Sequence, residues 1–100
     1  MKIVAVTACP TGIAHTYMAA DALSKAAPKK GLQIKVETQG AMGIENPLSA
    51  QDIMRADLVL IASDIEREQR ARFTGCKIHV VTIEEVLTNV DAVLDRCKSL

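Results

Sequence analysis

Aromatic residues are almost absent from the chain: it has no tryptophan, and Tyr17 and Phe73 are its only aromatic side chains. A flavin ring binds by stacking on aromatic side chains, so their scarcity counts against a flavin site. The motifs G-x-G-x-x-G and G-x-x-x-x-G-K-[ST], which bind nucleotide phosphates, are missing too. A flavodoxin-like redox domain or a nucleotide-binding domain is therefore disfavoured.

Net charge, long apolar runs and paired cysteines are also lacking. The 12 basic residues balance the 12 acidic ones, so no overall field attracts nucleic acid or an anionic membrane. No stretch reaches the roughly 18 apolar residues of a membrane-spanning helix. The 3 cysteines are irregularly spaced, unlike a secreted disulfide framework. We expect one cytoplasmic domain over residues 1–100, with reduced thiols and no direct membrane insertion.

Short apolar runs alternate with amphipathic segments. Strand patterns occupy residues 2–7, 32–36, 58–62 and 78–81. Helices are expected to begin at residues 13, 50 and 83, with a shorter one over 65–73. Gly31 is a candidate C-terminal cap of the first helix, but Pro28 leaves the end of that helix open.

Strands that alternate with helices pair in parallel through right-handed crossovers. The order of elements predicts an α/β fold: a small open four-stranded parallel sheet with helices on both faces, Rossmann-like or flavodoxin-like, with strand order 2-1-3-4. Leu32, Ile34 and Val36 alternate with polar residues at positions 33, 35 and 37, the last of them Glu37, so residues 32–36 form a strand with one solvent-facing side, as is typical of a sheet edge. The loops at the carboxyl ends of the strands should form the site: those after the first strand, at residues 39–43 and at residues 63–64.

Cys9 lies where the first strand gives way to the first helix. The start of a helix presents unpaired N–H groups and a positive dipole end, which favour a thiolate and bind phosphate. Gly12 lets the backbone approach an anion, Pro10 restricts the loop, and Thr11 and Thr16 add hydroxyl donors. We therefore predict that Cys9 is a nucleophile in a phosphate-binding segment that comprises Pro10, Thr11, Gly12, Ile13, Ala14 and Thr16.

The run Cys9-Pro10-Thr11-Gly12-Ile13-Ala14-His15-Thr16 resembles the active-site signature of the fructose-family enzyme IIB of the bacterial phosphotransferase system. Residues 36–40, 56–60 and 72–73 resemble the same family, in order along the chain. The resemblance implies that Cys9 carries a phosphoryl group. The donor would be the phosphohistidine of a IIA partner, and the acceptor a fructose-like sugar bound by a membrane IIC permease. It also implies peripheral association with that permease and no cofactor.

Three further positions have a functional and a structural interpretation. His15 is the sixth residue after Cys9 and could favour the thiolate or contact the phosphoryl oxygens. Alternatively, it packs on Tyr17 or faces solvent. Gln39 and Gly40 are candidate substrate or partner contacts, or simply form a turn after an edge strand.

A cysteine-dependent phosphatase of low molecular weight is the main alternative. Such enzymes bind phosphate through an arginine at the sixth position after cysteine, where this chain has His15, and no acidic residue stands out to protonate a leaving group. A non-catalytic regulatory domain is disfavoured because the nucleophile and its loop are retained.

The two other cysteines and a group of three arginines are interpreted without a role in the site. Cys97 lies on the apolar stripe of the last helix, and Cys76 at the start of a strand. Cys76 and His79 have a C-x-x-H spacing, but no second pair completes four ligands, so no metal site is predicted. The arginines at positions 67, 70 and 72 are interpreted as a solvated helix face.

Overall fold

A computed structural model describes residues 1–8, 13–40, 43–63, 75 and 77–99. Within these ranges it contains five strands and three helices. They are β1 (Lys2–Ala8), α1 (Ile13–Lys29), β2 (Gln33–Gly40), β3 (Gly43–Glu45), α2 (Ala50–Arg55), β4 (Leu58–Ser63), β5 (Ile78–Val81) and α3 (Ile83–Ser99). The helix predicted over residues 65–73 lies outside the described residues.

The strands form one sheet in the order β3-β2-β1-β4-β5. β1 is parallel to β2 and β4, and β4 is parallel to β5. The four predicted strands therefore have the expected parallel pairing and order. β3, however, is antiparallel to β2, so the sheet is mixed and has a fifth strand.

β3 also corrects the prediction for residues 32–36. They were expected at a sheet edge, but β2 lies between β1 and β3. The predicted polar side of β2 is exposed at Gln33 and Lys35, whereas Glu37 is fully buried. The alternation was thus recognised correctly, but the covering strand and the burial of Glu37 were missed.

α1 includes Pro28 and ends one residue later, so the end of the helix that the sequence left open is at Lys29. Pro28 lies in the last turn, and the chain leaves the helix through Gly31 at φ +73°. The Leu32 N–H donates to the Ala27 carbonyl at 2.9 Å, and the Gly31 N–H donates to the Pro28 carbonyl at 3.1 Å. This is a Schellman motif, and it confirms Gly31 as the predicted cap.

Side chains of β1 alternate between two apolar layers. Ile3 and Ala5 belong to a core cluster with residues of α1 and α3, whereas Val4 and Val6 belong to a second cluster with Ile53 of α2. We call these sides the α1–α3 face and the α2 face. Helices therefore cover both faces of the sheet, as predicted.

Both capped helix starts confirm the sequence analysis. Ser49 and Asp52 form a capping box at α2, and the Glu85 N–H donates to the Thr82 hydroxyl at 3.0 Å at the start of α3. α3 departs from helical geometry at Asn89, whose side chain accepts from the Ala92 N–H at 3.4 Å. Among the described helices, none is long and apolar enough to cross a membrane.

Cys97 is fully buried on the apolar stripe of α3 and joins the α1–α3 cluster, which confirms its predicted structural role. Burial raises the pKa of its thiol to about 11, because an apolar environment disfavours the thiolate. Cys76 lies outside the described residues.

Candidate functional site

β1, β2 and β4 run parallel, so their carboxyl ends lie at the same end of the sheet. In the sequence, Cys9 follows the last residue of β1. Ala8 ends β1, and its Cα pairs with Gln39 of β2 on one side and with Ser63 of β4 on the other. Cys9 follows Ala8 directly, and α1 begins at Ile13. The predicted meeting of three chain segments at one end of the sheet is confirmed for these strand ends.

Several predicted site residues cannot be placed in this geometry. Cys9, Pro10, Thr11 and Gly12 lie outside the described residues. Ile13 and Ala14 form the start of α1, as predicted. Their proposed contacts with phosphate therefore remain predictions.

The start of α1 has the electrostatic character that an anion site needs. Its first turn contains no acidic residue, so no carboxylate of its own offsets the positive end of the helix dipole. His15 is exposed there, in agreement with the solvent-facing alternative. An exposed imidazole at this point also remains available to a partner or to a bound anion.

Thr16 lies one position further along and is fully buried. Its carbonyl accepts a hydrogen bond of 3.2 Å from the hydroxyl of Thr7, which fixes the first turn of α1 to β1. The Thr16 hydroxyl itself has no hydrogen-bond partner among the described residues. The predicted donor is thus present and uncommitted within that part of the chain.

A second buried hydroxyl was missed by the sequence analysis. Thr38 of β2 pairs in register with Thr7, is 4% exposed, and has a hydroxyl without a hydrogen-bond partner in the described ranges. The signal was available: Leu32, Ile34 and Val36 alternate on the apolar side of β2, and Thr38 is the next residue in that series.

On the α2 face, the buried carboxylate of Glu37 organises the same end of the sheet. It accepts from the Leu48 N–H at 2.9 Å and from the side-chain amide of Gln39 at 2.7 Å. These bonds tie the segment after β3 to β2 and restrain Gln39 beside Ala8. Buried carboxylates are expensive unless hydrogen-bonded, and this one is held by backbone and side-chain donors.

Gln39 and Gly40 are strand residues, which corrects the alternative that they form a turn. Gln39 pairs with Ile44, and Gly40 pairs with Gly43, in the antiparallel ladder of β2 and β3. Gln39 is half-buried and is held by Glu37. Gln39 lies beside Ala8, the last residue of β1, and the predicted contact of Gln39 and Gly40 with a substrate or partner stays a prediction.

Tyr17 joins α1 to β3. Its hydroxyl donates to the Glu45 carboxylate at 3.1 Å. The pKa of the phenol is raised, first by partial burial and then by the hydrogen bond and negative charge of Glu45. This hydrogen bond attaches β3, the strand that the sequence analysis missed, to α1.

His79, the other histidine, lies in β5. Burial lowers its pKa first, and the charge of Arg96 lowers it further. Among the described residues, no cluster of three or more His, Cys, Asp or Glu side chains could hold a metal ion.

Comparison with known proteins identifies the family. The family model described as "PTS system, Lactose/Cellobiose specific IIB subunit" matches residues 4–96. The PTS system fructose-like EIIB component 2 of Escherichia coli K12 is 48% identical over 98 residues, which cover 98% of this chain and 92% of the relative. The chain belongs to the IIB family of the sugar phosphotransferase system. As a fructose-type IIB component it is a phosphotransferase.

Solved structures support the same family and fold. A domain of the fructose-specific IIABC component of Borrelia burgdorferi has a TM-score of 0.90 at 42% identity, with 95% of this IIB component and 90% of that chain covered. A flavodoxin of Streptococcus pneumonia TIGR4 is 21% identical, with a TM-score of 0.50 over 99% of this chain and 75% of its own, and it shares the fold alone. The predicted flavodoxin-like α/β class is therefore confirmed.

Other relatives are longer proteins. The fructose-like PTS system EIIBC component of Escherichia coli K12 is 47% identical over 95 residues, which are 93% of this chain and 20% of that protein. Its name joins the B and C components in one chain.

Proposed function

We propose that this IIB component accepts a phosphoryl group on Cys9 from the phosphohistidine of a IIA partner. It then passes the group to a fructose-like sugar bound by a membrane IIC partner. The observation that carries the proposal is the junction of β1 and α1. In the sequence of this phosphotransferase family chain, Cys9 lies between a strand end and a helix start without acidic residues. Two buried hydroxyls without a partner among the described residues belong to that helix start and to the neighbouring strand.

The first transfer exchanges one phosphorus bond for another. The Cys9 thiolate attacks phosphorus, an S–P bond forms, and the N–P bond of the donor histidine breaks. The electron pair of that bond returns to the imidazole nitrogen, which is then protonated. Phosphoryl transfer needs in-line positioning and charge stabilisation, and N–H groups at the start of α1 can supply the latter.

The second transfer reverses the role of sulfur. A sugar hydroxyl oxygen attacks phosphorus as the S–P bond breaks, Cys9 leaves as a thiolate, and the hydroxyl proton is lost. A thiolate that is stabilised by the helix start is both a nucleophile in the first step and a leaving group in the second. One charged state of Cys9 thus serves both halves of the cycle.

The surface around the junction suits successive partners. His15 and Met18 on α1 and Ile44 on β3 are exposed, with Met18 54% and Ile44 48% accessible. In this proposal, Met18 and Ile44 are part of the surface that contacts the partners. The EIIBC name of the longer relative supports IIC as one partner, which would place this chain at the cytoplasmic side of a membrane.

Direct phosphorylation tests the proposal. The protein is incubated with phosphorylated IIA, and peptide mass spectrometry locates the phosphoryl group in the wild type, Cys9→Ser, Cys76→Ser and Cys97→Ser. We expect label on Cys9 in every protein that retains it, and none in Cys9→Ser. A wild type that never acquires phosphate, or label that persists in Cys9→Ser, would overturn the assignment.

An aryl phosphate assay without partners separates carriage from hydrolysis. A carrier should release at most a single equivalent of product, because the phosphocysteine waits for an acceptor. Sustained turnover would favour the phosphatase alternative.

A further inference from the structure

A groove lies between β5 and α3 at one edge of the sheet. β5 pairs with β4, and within the described part of the chain no strand lies on its other side. The groove has a volume of about 220 Å³. Pockets for drug-sized ligands have roughly 300–1,000 Å³, so this one suits a smaller molecule. We call it the β5–α3 groove, and none of its residues has a part in the phosphoryl transfer proposed above.

Two side chains of β5 form one wall of the groove. His79 and Val81 pair in register with Leu60 and Ala62, which belong to the α1–α3 core. Because residues that pair in register lie on the same face of a sheet, His79 and Val81 also lie on the α1–α3 face. The Nε2 atom of His79 is buried and has no hydrogen-bond partner among the described residues. A buried ring nitrogen without a partner calls for an explanation beyond packing.

The other wall is a stripe of α3. Four of its residues recur at spacings of four, three and four, so they lie along one side of the helix. They are Glu85, Asn89, Ala92 and Arg96, all of them exposed and all lining the groove. Glu85 is in the first turn of α3 and Arg96 in the last. The groove therefore has a carboxylate toward one end and a guanidinium toward the other.

These two opposite charges both act on His79. Burial lowers the pKa of His79 most, the charge of Arg96 lowers it further, and the charge of Glu85 raises it. The imidazole is therefore neutral near neutral pH, and a neutral ring has one donor and one acceptor nitrogen. The side chains of Glu85 and Arg96 form no hydrogen bond or ion pair with another described residue. All three groups are thus available to a ligand.

We propose that the β5–α3 groove binds a small anion that also carries hydroxyl groups, the chemistry that sugar phosphates and sugar acids share. Arg96 binds the anionic group, the Nε2 atom of His79 forms a hydrogen bond with the ligand, and Glu85 accepts one from a ligand hydroxyl. The carbon skeleton packs on Val81 and Val93, which line the groove with apolar surface. This binding goes beyond phosphoryl transfer through Cys9 and does not depend on it.

Three simpler kinds of ligand fit the groove less well. Inorganic phosphate would be bound by the guanidinium of Arg96 through two parallel hydrogen bonds, but the carboxylate of Glu85 would repel it. A neutral sugar would leave Arg96 without a counter-charge. An ammonium group can satisfy Glu85 but only donates, whereas a hydroxyl can both donate to and accept from the His79 ring. A hydroxylated anion uses all three groups at once.

Titrations of the isotope-labelled full chain, followed by NMR, test the site. The probes are gluconate and fructose 6-phosphate, which are hydroxylated anions, and the simpler compounds fructose and inorganic phosphate. We expect at least one hydroxylated anion to shift the side-chain resonances of His79 and Arg96 in the millimolar range. Fructose and phosphate should bind there about tenfold more weakly or less. A preference for gluconate or for fructose 6-phosphate would support the site and identify its anionic group. If neither shifts these resonances, or if phosphate alone binds as tightly, the proposal is wrong.

Paired substitutions separate a specific site from general surface charge. Arg96→Gln should weaken binding of the preferred hydroxylated anion about tenfold or more, because hydrogen bonds to a charged group are lost. Arg55→Gln is the matched control, since Arg55 is the basic residue in the last turn of α2, and it should leave the affinity unchanged. Equal weakening in the two variants would show unspecific attraction of anions and overturn the proposal.

Glu85 provides a test in which two ligands respond in opposite directions. Glu85→Gln should weaken the hydroxylated anion a few-fold, because the charged acceptor is lost, and strengthen inorganic phosphate, because the repulsion is lost. Glu84→Gln, at the other acidic residue in the first turn of α3, is the control and should change neither. If Glu85→Gln strengthened both ligands, Glu85 would only repel anions and the proposed contact would be wrong. Equal midpoints of urea unfolding in all variants exclude loss of the fold as the cause.

Discussion

The same helices cover β1 and β2 along their length, but the kind of buried side chain changes between the first half of these strands and their carboxyl ends. In the first half of β1, Ile3, Val4, Ala5 and Val6 are buried among other apolar residues. At the other end of these strands, three polar residues, Thr7, Glu37 and Thr38, are buried beside Ala8. Burial of apolar surface stabilises without regard to direction, whereas buried polar groups need partners at particular positions. The apolar half supplies stability, and the polar half supplies geometry.

At the polar end of β1 and β2, the two faces of the sheet differ in whether their buried polar groups have hydrogen-bond partners. On the α2 face, Glu37 is held by the backbone of Leu48 and the amide of Gln39. On the α1–α3 face, Thr16 and Thr38 keep unpartnered hydroxyls within the described ranges. The hydrogen bonds of Glu37 on the α2 face tie β2 to the segment after β3.

The largest effect should come from the apolar half. Leu60 of β4 is fully buried in the α1–α3 core, so Leu60→Ala removes buried apolar surface and leaves a cavity. We expect the free energy of unfolding in urea to fall by about 2–5 kcal/mol. Met54→Ala is the control, because Met54 is 83% exposed, and it should change stability by no more than about 0.5 kcal/mol. Similar losses in both variants would contradict this account of the core.

Glu37 tests the satisfied polar side. Glu37→Leu leaves the Leu48 N–H and the Gln39 amide without their acceptor, and we expect a loss of about 1–3 kcal/mol in urea unfolding. Glu37→Gln retains one acceptor oxygen and should lose less. If the leucine variant were as stable as the wild type, the carboxylate would not be what holds this end of the sheet.

A surface ion pair provides the comparison for Glu37. The Nζ of Lys35 and the Oδ2 of Asp52 lie 2.6 Å apart, and both side chains are partly exposed. Lys35→Gln should cost no more than about 1 kcal/mol, since solvent screens exposed pairs. If Lys35→Gln lowered the free energy of unfolding more than Glu37→Leu does, the exposed pair would matter more than the buried carboxylate, contrary to this expectation.

The sequence predicted the apolar half of this comparison well. Runs of β-branched and aliphatic residues identify four strands, and their alternation with helices implies parallel pairing. β3 was missed because three residues that include a glycine, Gly43–Glu45, are too short to show a period of two. Its position also depends on Tyr17, which is 28 residues away from Glu45 in the chain.

The candidate site was predicted only in part. Local rules identify a cysteine before a helix start, because a helix dipole acts within one turn. They cannot identify Glu37 and Thr38, since the burial of Glu37 depends on Leu48 and α2, and the neighbour of Thr38 is set by register with β1. Alternation alone assigned Glu37 to the solvent side. Tertiary packing reversed that assignment.

The contrast between Cys97 and Cys9 gives a smaller, chemical test. Iodoacetamide should modify Cys9 in the native protein near neutral pH and leave Cys97 unmodified, because Cys97 is buried and burial raises its pKa to about 11. Measured in a Cys76→Ser background by peptide mass spectrometry, Cys97 should react only when urea unfolds the chain. Modification of both at equal rates would contradict the assigned environments.

Alkali should reveal the same burial. An unfolded chain has an ordinary thiol, which loses its proton at lower pH than the folded one. The folded state is therefore the one that binds this proton more tightly, and stability should decline as pH rises from the ordinary thiol value toward about 11. Cys97→Ala should show a shallower decline than the wild type.

The smallest expected effect concerns His15, which is exposed in the first turn of α1. If its imidazole favours the Cys9 thiolate, His15→Ala should raise the pH midpoint of Cys9 alkylation and slow the reaction a few-fold near neutral pH. Because the side chain is exposed, the difference should shrink as salt screens the interaction. Met18→Ala is the control, since it removes an exposed uncharged side chain from the same helix. Identical profiles for the wild type and His15→Ala at low salt would contradict an electrostatic role of His15 toward Cys9.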